Sequence, residues 1–127
     1  YVASTLGERR PVESRGRMQG MIANANLVVT AWDDEVERPL LVGISRSLSD
    51  FRYVTYLADL AVRASHQRRG IGAELIRQTK LAAPEAYIVL LAAPKAVGYY
   101  PHIGFKRHES AWILKADEEL IIPEGSC

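Results

Sequence analysis

The sequence predicts an α/β fold built on a mixed, mostly antiparallel sheet with a central parallel strand pair, flanked by helices. Three observations predict it: three successive apolar strand patterns, a change to helical periodicity at Gly70, and another apolar run after that helix. The chain has 127 residues, which is the size of one domain, so we expect a single domain over 1–127. Its net charge is +1.

The first half of the chain predicts short helices followed by an antiparallel meander. Residues 1–25 read as amphipathic helical pieces. Strands are predicted at 26–32 and 40–47, and the acidic link 33–37 between them reads as a solvent-exposed hairpin turn. A third, longer strand is predicted at 53–62.

The second half predicts a strand–helix–strand unit. A helix opening at Gly70 and closed by Pro84 has one apolar face, formed by Ile71, Leu75, Ile76, Thr79 and Ala83. The apolar run 87–92 predicts a strand buried on both faces, parallel to strand 53–62 and reached by a right-handed crossover. A short helix is expected at 94–100, and a last hairpin is expected from Gly104 through 112–114.

The junction between strand 53–62 and the following helix predicts a site for a phosphorylated ligand. A basic loop and a glycine pair lead into the helix, so backbone N–H groups, the helix dipole and two arginines act together on an anion. A dinucleotide fingerprint needs a small residue where Leu75 stands, and a Walker loop needs Gly-Lys-Ser/Thr, which the chain lacks. Both motifs are therefore excluded.

What remains resembles the acetyl-CoA signature of the GNAT superfamily of N-acyltransferases. Gln67-x-x-Gly70-x-Gly72 follows a strand that ends in Leu60-Ala61-Val62. Downstream, Tyr99-Tyr100 followed by Gly104-Phe105 resembles the family's late motif. The resemblance covers roughly residues 13–115. The family's first strand and most of its first helix are expected to be missing before Tyr1, and Ala93 stands where the family often has asparagine.

The resemblance implies acetyl-CoA as co-substrate. Backbone N–H groups of the loop would hold the pyrophosphate, with glycine permitting close approach, and the end of strand 53–62 would offer main-chain groups to the pantetheine arm. This requires the central parallel strands to part, usually through a bulge in the earlier one. The implied cofactor-binding residues are Leu60, Ala61, Val62, Gln67, Arg68, Arg69, Gly70, Ile71, Gly72 and Ala73.

The resemblance also implies the catalytic roles. Tyr100 would be the general acid that protonates the CoA thiolate, since a tyrosine with a pKa of about 10 carries its proton at neutral pH. The adjacent Tyr99 is the alternative, although packing suits it better. Asp59, the only charge within 53–62, is either an acceptor for the incoming amine or a structural carboxylate paired with a neighbouring donor.

The predicted reaction is direct attack of a small-molecule or peptide amine on the thioester in a ternary complex. One alternative is a catalytically silent CoA-binding sensor or interaction domain, and another is an α/β domain for a different phosphorylated ligand. No nucleophile signature was found, and the histidines have no ligand partners at metal spacing, so no metal is expected. His66 is expected at the surface or as a minor neighbour of the phosphates.

Composition narrows the partners and the compartment. The near-balanced charge predicts no nucleic-acid binding, and no apolar run is long enough to span a membrane. The single cysteine, Cys127, excludes an internal disulfide within this sequence and favours a reducing, cytoplasmic compartment. Apolar residues near the end, such as Trp112, suggest a homodimer interface.

Overall fold

A mixed four-stranded sheet is the frame of the protein. The computed structural model describes residues 1–35 and 37–125. It divides into two units, Tyr1–Ala92 and Ala93–Cys127. Cys127, on which the disulfide and compartment predictions depend, lies outside the described residues.

The first unit contains the sheet and its two longer helices. Its elements are a 3-10 turn (Thr5–Arg9), α1 (Arg15–Asn24), β1 (Leu27–Asp33), β2 (Leu40–Ser49), β3 (Val54–Val62), a 3-10 turn (Ala64–His66), α2 (Ile71–Ala82) and β4 (Tyr87–Val89). The strand order is β1-β2-β3-β4, with antiparallel pairing up to β3 and parallel pairing of β3 with β4. The predicted meander and parallel pair are therefore confirmed.

The parallel pair is joined at one end only. Val54–Tyr56 of β3 pair with Tyr87–Val89 of β4, whereas β3 continues to Val62. β3 and β4 therefore part after three residues. The prediction that strand 87–92 is buried on both faces is wrong: β4 ends at Val89, and the side chains of Tyr87 and Val89 are 52% and 37% exposed. The apolar run shows only which side chains the segment carries. Whether each face of the strand is buried depends on the elements that pack against it.

A β-bulge at Ala58 changes the face of the sheet to which the following side chains of β3 point. Leu57 pairs with Ser47 of β2 and Asp59 pairs with Arg46, so Ala58 is the extra residue on β3. Residues paired across an antiparallel ladder point to the same face of the sheet. Leu57 therefore lies on the face of Ser47 and Asp59 on the face of Arg46, although the two are two positions apart. The bulge expected in the earlier strand of the parallel pair is confirmed.

Helix α2 packs closely on β2 because the contact residues of that strand are small. A Cβ added at Gly43 would lie 3.1 Å from both Ile71 Cγ2 and Leu75 Cδ1. Ser45 Oγ lies 2.9 Å from Thr79 Oγ1, which donates to the Leu75 carbonyl in turn. The predicted apolar face of the helix is confirmed by the burial of Leu75, Ile76 and Thr79. This packing sets the position of the first turn of α2.

The second unit contains little regular secondary structure. It contains a 3-10 turn (Pro94–Ala96) and α3 (Tyr99–His102). The predicted last hairpin is wrong: residues 104–125 contain no strand, and Trp112 is 93% exposed. Strand residues need a partner for their backbone groups, and apolar composition does not supply one. Among the described residues, no helix is long and apolar enough to cross a membrane.

Candidate functional site

The turn that leads into α2 presents backbone N–H groups without acceptors. Gly70 caps the helix with φ of +81°, and the first helical bond joins the Glu74 N–H to the Gly70 carbonyl over 3.1 Å. Within residues 1–35 and 37–125, the amides of residues 69–73 have no hydrogen-bond acceptor in the protein. Arg68, Arg69 and Gly70 are exposed. Such a turn is suited to an anion, since N–H groups and the helix dipole favour negative charge there.

Side chains on either side hold this turn to the sheet. The Arg63 guanidinium donates to the Leu41 carbonyl from Nε and Nη2, both over 3.2 Å. The Gln67 amide Nε2 donates to the Val62 carbonyl over 3.0 Å. The Gln67 side chain, predicted to bind cofactor, thus braces the turn onto the end of β3.

His66 is a second brace, which the sequence did not predict. Its side chain is only 13% exposed, and its Nε2 lies 2.7 Å from Oδ2 of Asp33, the last residue of β1. The hydrogen bond with His66 lowers the pKa of Asp33, and the backbone N–H of Glu35 lowers it further. The expectation that Asp33 lies in a solvent-exposed link is wrong, because Asp33 ends β1 and its side chain is 19% exposed. The surface position expected for His66 is also wrong, while its alternative position as a minor neighbour of the phosphates stays a prediction. Local sequence could not reveal a contact between residues 33 positions apart.

The predicted pantetheine-binding residues lie along the open part of β3. Leu60, Ala61 and Val62 pair with β2 on one side and are beyond the stretch that pairs with β4. In an antiparallel strand, main-chain groups point alternately to its two neighbours, so part of this segment directs N–H and C=O groups away from β2. This edge can receive an extended ligand as an additional strand.

Asp59 lies beside this edge and is fully engaged. The carboxylate is 1% exposed and accepts hydrogen bonds from the Tyr1 hydroxyl over 2.6 Å and from Nε of both Arg10 and Arg46 over 2.5 Å. Burial acts to raise the pKa of Asp59, but the bonds from Arg46, Tyr1 and Arg10 outweigh it and lower the pKa below its ordinary value. The contacts favour the structural interpretation of Asp59 over the base interpretation.

The arginines tie the bulge to the N-terminal segment. Arg10 Nη2 donates to the carbonyl of the bulged residue, Ala58, over 2.8 Å. Arg46 Nη1 donates to the Met21 carbonyl of α1 over 3.4 Å. Asp59 and its arginines therefore hold β3 in the bulged shape next to the strand opening. The sequence allowed an arginine as the partner of a structural Asp59 but could not identify which one, because Arg10 and Arg46 lie 49 and 13 positions before Asp59.

Tyr100 lies in α3, in the second unit. Its ring packs edge-to-face against Tyr99, with centroids 5.4 Å apart, and against Phe105, with centroids 5.5 Å apart. The Phe105 N–H donates to the Tyr100 carbonyl over 3.0 Å, and Gly104 makes the turn with φ of +98°. The tyrosine and the Gly-Phe turn of the late motif are thus one local structure.

No metal site accompanies these features in the part of the chain that the structure describes. Residues 1–35 and 37–125 contain no group of three His, Cys, Asp or Glu side chains placed to hold a metal ion.

A cavity of about 310 Å³ lies on the β1 side of the turn, lined by Val29, Thr30, Ala31, Arg69, Gly70, Ile71, Glu74, Leu75 and Gln78.

Comparison with known proteins identifies a family. The model of the acetyltransferase (GNAT) domain matches residues 10–114. An uncharacterized N-acetyltransferase, ycf52, from Gracilaria tenuistipitata var. liui is 26% identical in a 101-residue alignment that covers 76% of this chain. The chain spans only 53% of the length of that relative.

Solved structures share the fold. A GNAT family acetyltransferase from Streptococcus pneumoniae superposes with a TM-score of 0.64 at 24% identity, covering 80% of this chain and 81% of the other. A protein of unknown function from meticillin-resistant Staphylococcus aureus has a TM-score of 0.66 at 24% identity, covering 80% of each chain. An aminoglycoside 6'-N-acetyltransferase from Acinetobacter haemolyticus has a TM-score of 0.58 at 19% identity, with 82% and 79% covered.

Proposed function

The chain belongs to the GNAT acetyltransferase family, and we propose that it transfers the acetyl group of acetyl-CoA to an amine by direct attack in a ternary complex. The observation that carries this proposal is the turn at the start of α2, whose amides at 69–73 lack acceptors among the described residues. It follows, after a short 3-10 turn, a strand that has separated from its parallel partner.

The turn suits the CoA diphosphate. Its amides would donate to the phosphate oxygens, and the exposed guanidinium groups of Arg68 and Arg69 would add long-range attraction. Gly70 meets two needs there: it adopts a left-handed φ of +81°, and it has no side chain to keep the ligand from the backbone. The pantetheine arm would then lie along residues 60–62.

The chemistry needs little more than positioning and one acid. The amine nitrogen attacks the carbonyl carbon of the thioester, the C–S bond breaks, and the acetyl group ends on nitrogen. A main-chain N–H of β3 at the opening would polarise the carbonyl oxygen. The Tyr100 hydroxyl would donate its proton to the departing thiolate, the proton lost by the amine would pass to solvent, and the tyrosinate would take a proton back from solvent.

Asp59 serves this proposal as a positioning residue. With three donors on its carboxylate and a lowered pKa, it is a poor acceptor for the proton of an amine. We propose instead that it holds the bulge that opens β3.

The acceptor is proposed to be a small-molecule or peptide amine, and the protein is proposed to be cytoplasmic. A homodimer is proposed because apolar residues such as Trp112 are exposed.

Two measurements test the proposal. In a thermal shift assay, acetyl-CoA should raise Tm in a concentration-dependent way, whereas ATP and NAD should not, because only a ligand of the native state stabilises it. In a thiol-release assay, a panel of amines and peptides should contain acceptors that release free CoA. Stabilisation without turnover on any acceptor would favour a silent CoA-binding domain, and stabilisation by ATP or NAD alone would overturn the proposal.

A further inference from the structure

We propose that Asp33 and His66 form a brace that holds the diphosphate-binding turn in its ligand-ready shape. The Asp33–His66 brace joins the end of β1 to the residue immediately before that turn. This inference rests on the proposed function for the ligand, but the brace itself is argued from contacts within the ligand-free chain.

Contacts other than the one with His66 also orient the Asp33 carboxylate. It pairs with Leu40 at the end of the β1–β2 ladder, and its Oδ1 accepts the Glu35 N–H over 2.9 Å. Its Oδ2 is then directed to His66 Nε2 over 2.7 Å. Because both carboxylate oxygens are engaged, the acceptor has one available orientation and holds the imidazole in one place.

His66 is fixed at both nitrogens. An ionised Asp33 requires the proton on Nε2, which leaves Nδ1 to accept the Ser65 hydroxyl over 2.7 Å in the neutral imidazole. In the imidazolium form, Nδ1–H donates to the Ser65 Oγ instead, so the brace persists in both protonation states. With the side chains of His66 and Asp33 only 13% and 19% exposed, water competes weakly for these bonds.

The turn needs this support because its backbone is strained. Arg68 adopts φ of +64°, a left-handed conformation that costs a side-chain-bearing residue roughly 1–2 kcal/mol. Among the described residues, the amides of 68–70 have no acceptor that would hold the segment. The side chains of His66 and Gln67 are therefore the attachments nearest to this segment, and the Arg63 side chain and the backbone bonds of 63–67 lie before them. Asp33 also attracts the Arg69 guanidinium, which places one more residue of the turn under its influence.

The order Ser65–His66–Asp33 is also that of a hydrolase nucleophile. Positioning is the better assignment, because the described contacts join the imidazole to the last residue of β1 and to its own neighbour. The experiment below distinguishes the two roles.

The test compares His66→Ala with His66→Gln, whose amide can donate to Asp33 from nearly the same position. Amide relaxation of residues 67–73 is measured by NMR in the ligand-free proteins, and CoA and pantetheine are titrated separately. Loss of a hydrogen bond to a charged group should weaken CoA binding about tenfold in His66→Ala and Asp33→Ala. His66→Gln should restore affinity, pantetheine affinity should stay unchanged, and KM for the amine should not move.

Glu85→Gln is the matched control, since it removes an exposed ion pair with Arg52 at the start of β3 and β4. A turn that stays ordered in His66→Ala, or equal loss of CoA and pantetheine affinity, would overturn the brace. Covalent labelling of Ser65 by a fluorophosphonate, abolished by Asp33→Ala, would also overturn it in favour of a nucleophile. If wild type does not bind CoA, the proposed function fails, while the NMR comparison still decides for or against the brace.

Discussion

Arg46 and Asp59 lie directly opposite each other on β2 and β3, and the Arg46 Nε–H donates to Asp59 Oδ2 over 2.5 Å. They share a face only because of the bulge at Ala58, without which Asp59 would point to the face that α2 covers. There a carboxylate would meet apolar side chains. The bulge thus resolves two requirements together: it gives Asp59 its arginine partners, and it bends β3 where the strand leaves β4.

Asp59→Asn should destabilise the protein by about 3–5 kcal/mol at pH 7, because it leaves two largely buried guanidinium groups without their counter-charge. Urea unfolding measures this loss. The exposed pair of Arg52 and Glu85 provides the control, and Glu85→Gln should cost less than about 1 kcal/mol.

The same residue predicts an acid dependence. The pKa of Asp59 is lowered in the folded protein, so the unfolded chain binds more protons near its ordinary pKa of about 3.9. Its stabilisation is complete above that pH and is lost as pH falls toward the folded-state value. Wild type should therefore lose stability below about pH 5 more steeply than Asp59→Asn. Parallel acid profiles for the two proteins would contradict this assignment.

Gly70→Ala should destabilise the protein by about 1–2 kcal/mol through backbone strain alone. The position has φ of +81°, and a Cβ there would meet no atom within 4 Å, so steric overlap plays no part. Gly98→Ala is matched to it: that site also has open space but φ of −77°, and its free energy of unfolding should change by less than about 0.5 kcal/mol. Equal effects of the two substitutions would refute the conformational explanation.

Ser47→Ala should leave stability unchanged or raise it by about 1 kcal/mol. The Ser47 side chain is fully buried, and its Oγ has no hydrogen-bond partner among the described residues. Ser45, two positions away on the same face, shares a hydrogen bond with Thr79, so Ser45→Ala should destabilise by about 1–2 kcal/mol. Calorimetry on the two variants gives the comparison, and a larger loss from Ser47→Ala would reveal a partner for its hydroxyl.

Tyr100→Phe should lower kcat by about 10²–10⁴ with CoA affinity preserved, because it removes only the proposed proton donor. Tyr99→Phe is the control. Both rings take part in the same edge-to-face stack, so loss of either hydroxyl leaves the apolar packing in place. If Tyr99→Phe is the inactive variant, the acid role moves to Tyr99. Full activity in both would remove the tyrosine acid from the mechanism.

Local patterns predicted much of this architecture. The helical face that contains Leu75, Ile76 and Thr79 is buried as its period requires, and the strand patterns at 26–32, 40–47 and 53–62 correspond to β1, β2 and β3. These features depend on residues close in sequence. The predicted hairpin after Gly104 was wrong because strands also need partners, and Trp112-Ile113-Leu114 has apolar side chains but no strand partner in the described residues.

The sequence by itself determined the turn that we propose binds an anion, since glycines at 70 and 72, two arginines and a helix start are local properties of the chain. Only the tertiary structure decided the long-range contacts: the hydrogen bond between His66 and Asp33, the bonds from Arg10 and Arg46 to Asp59, and the separation of β3 from β4. Each of these joins residues distant in sequence. Such pairings depend on which strand register and which bulge bring the residues together, and no short pattern along the chain records that choice.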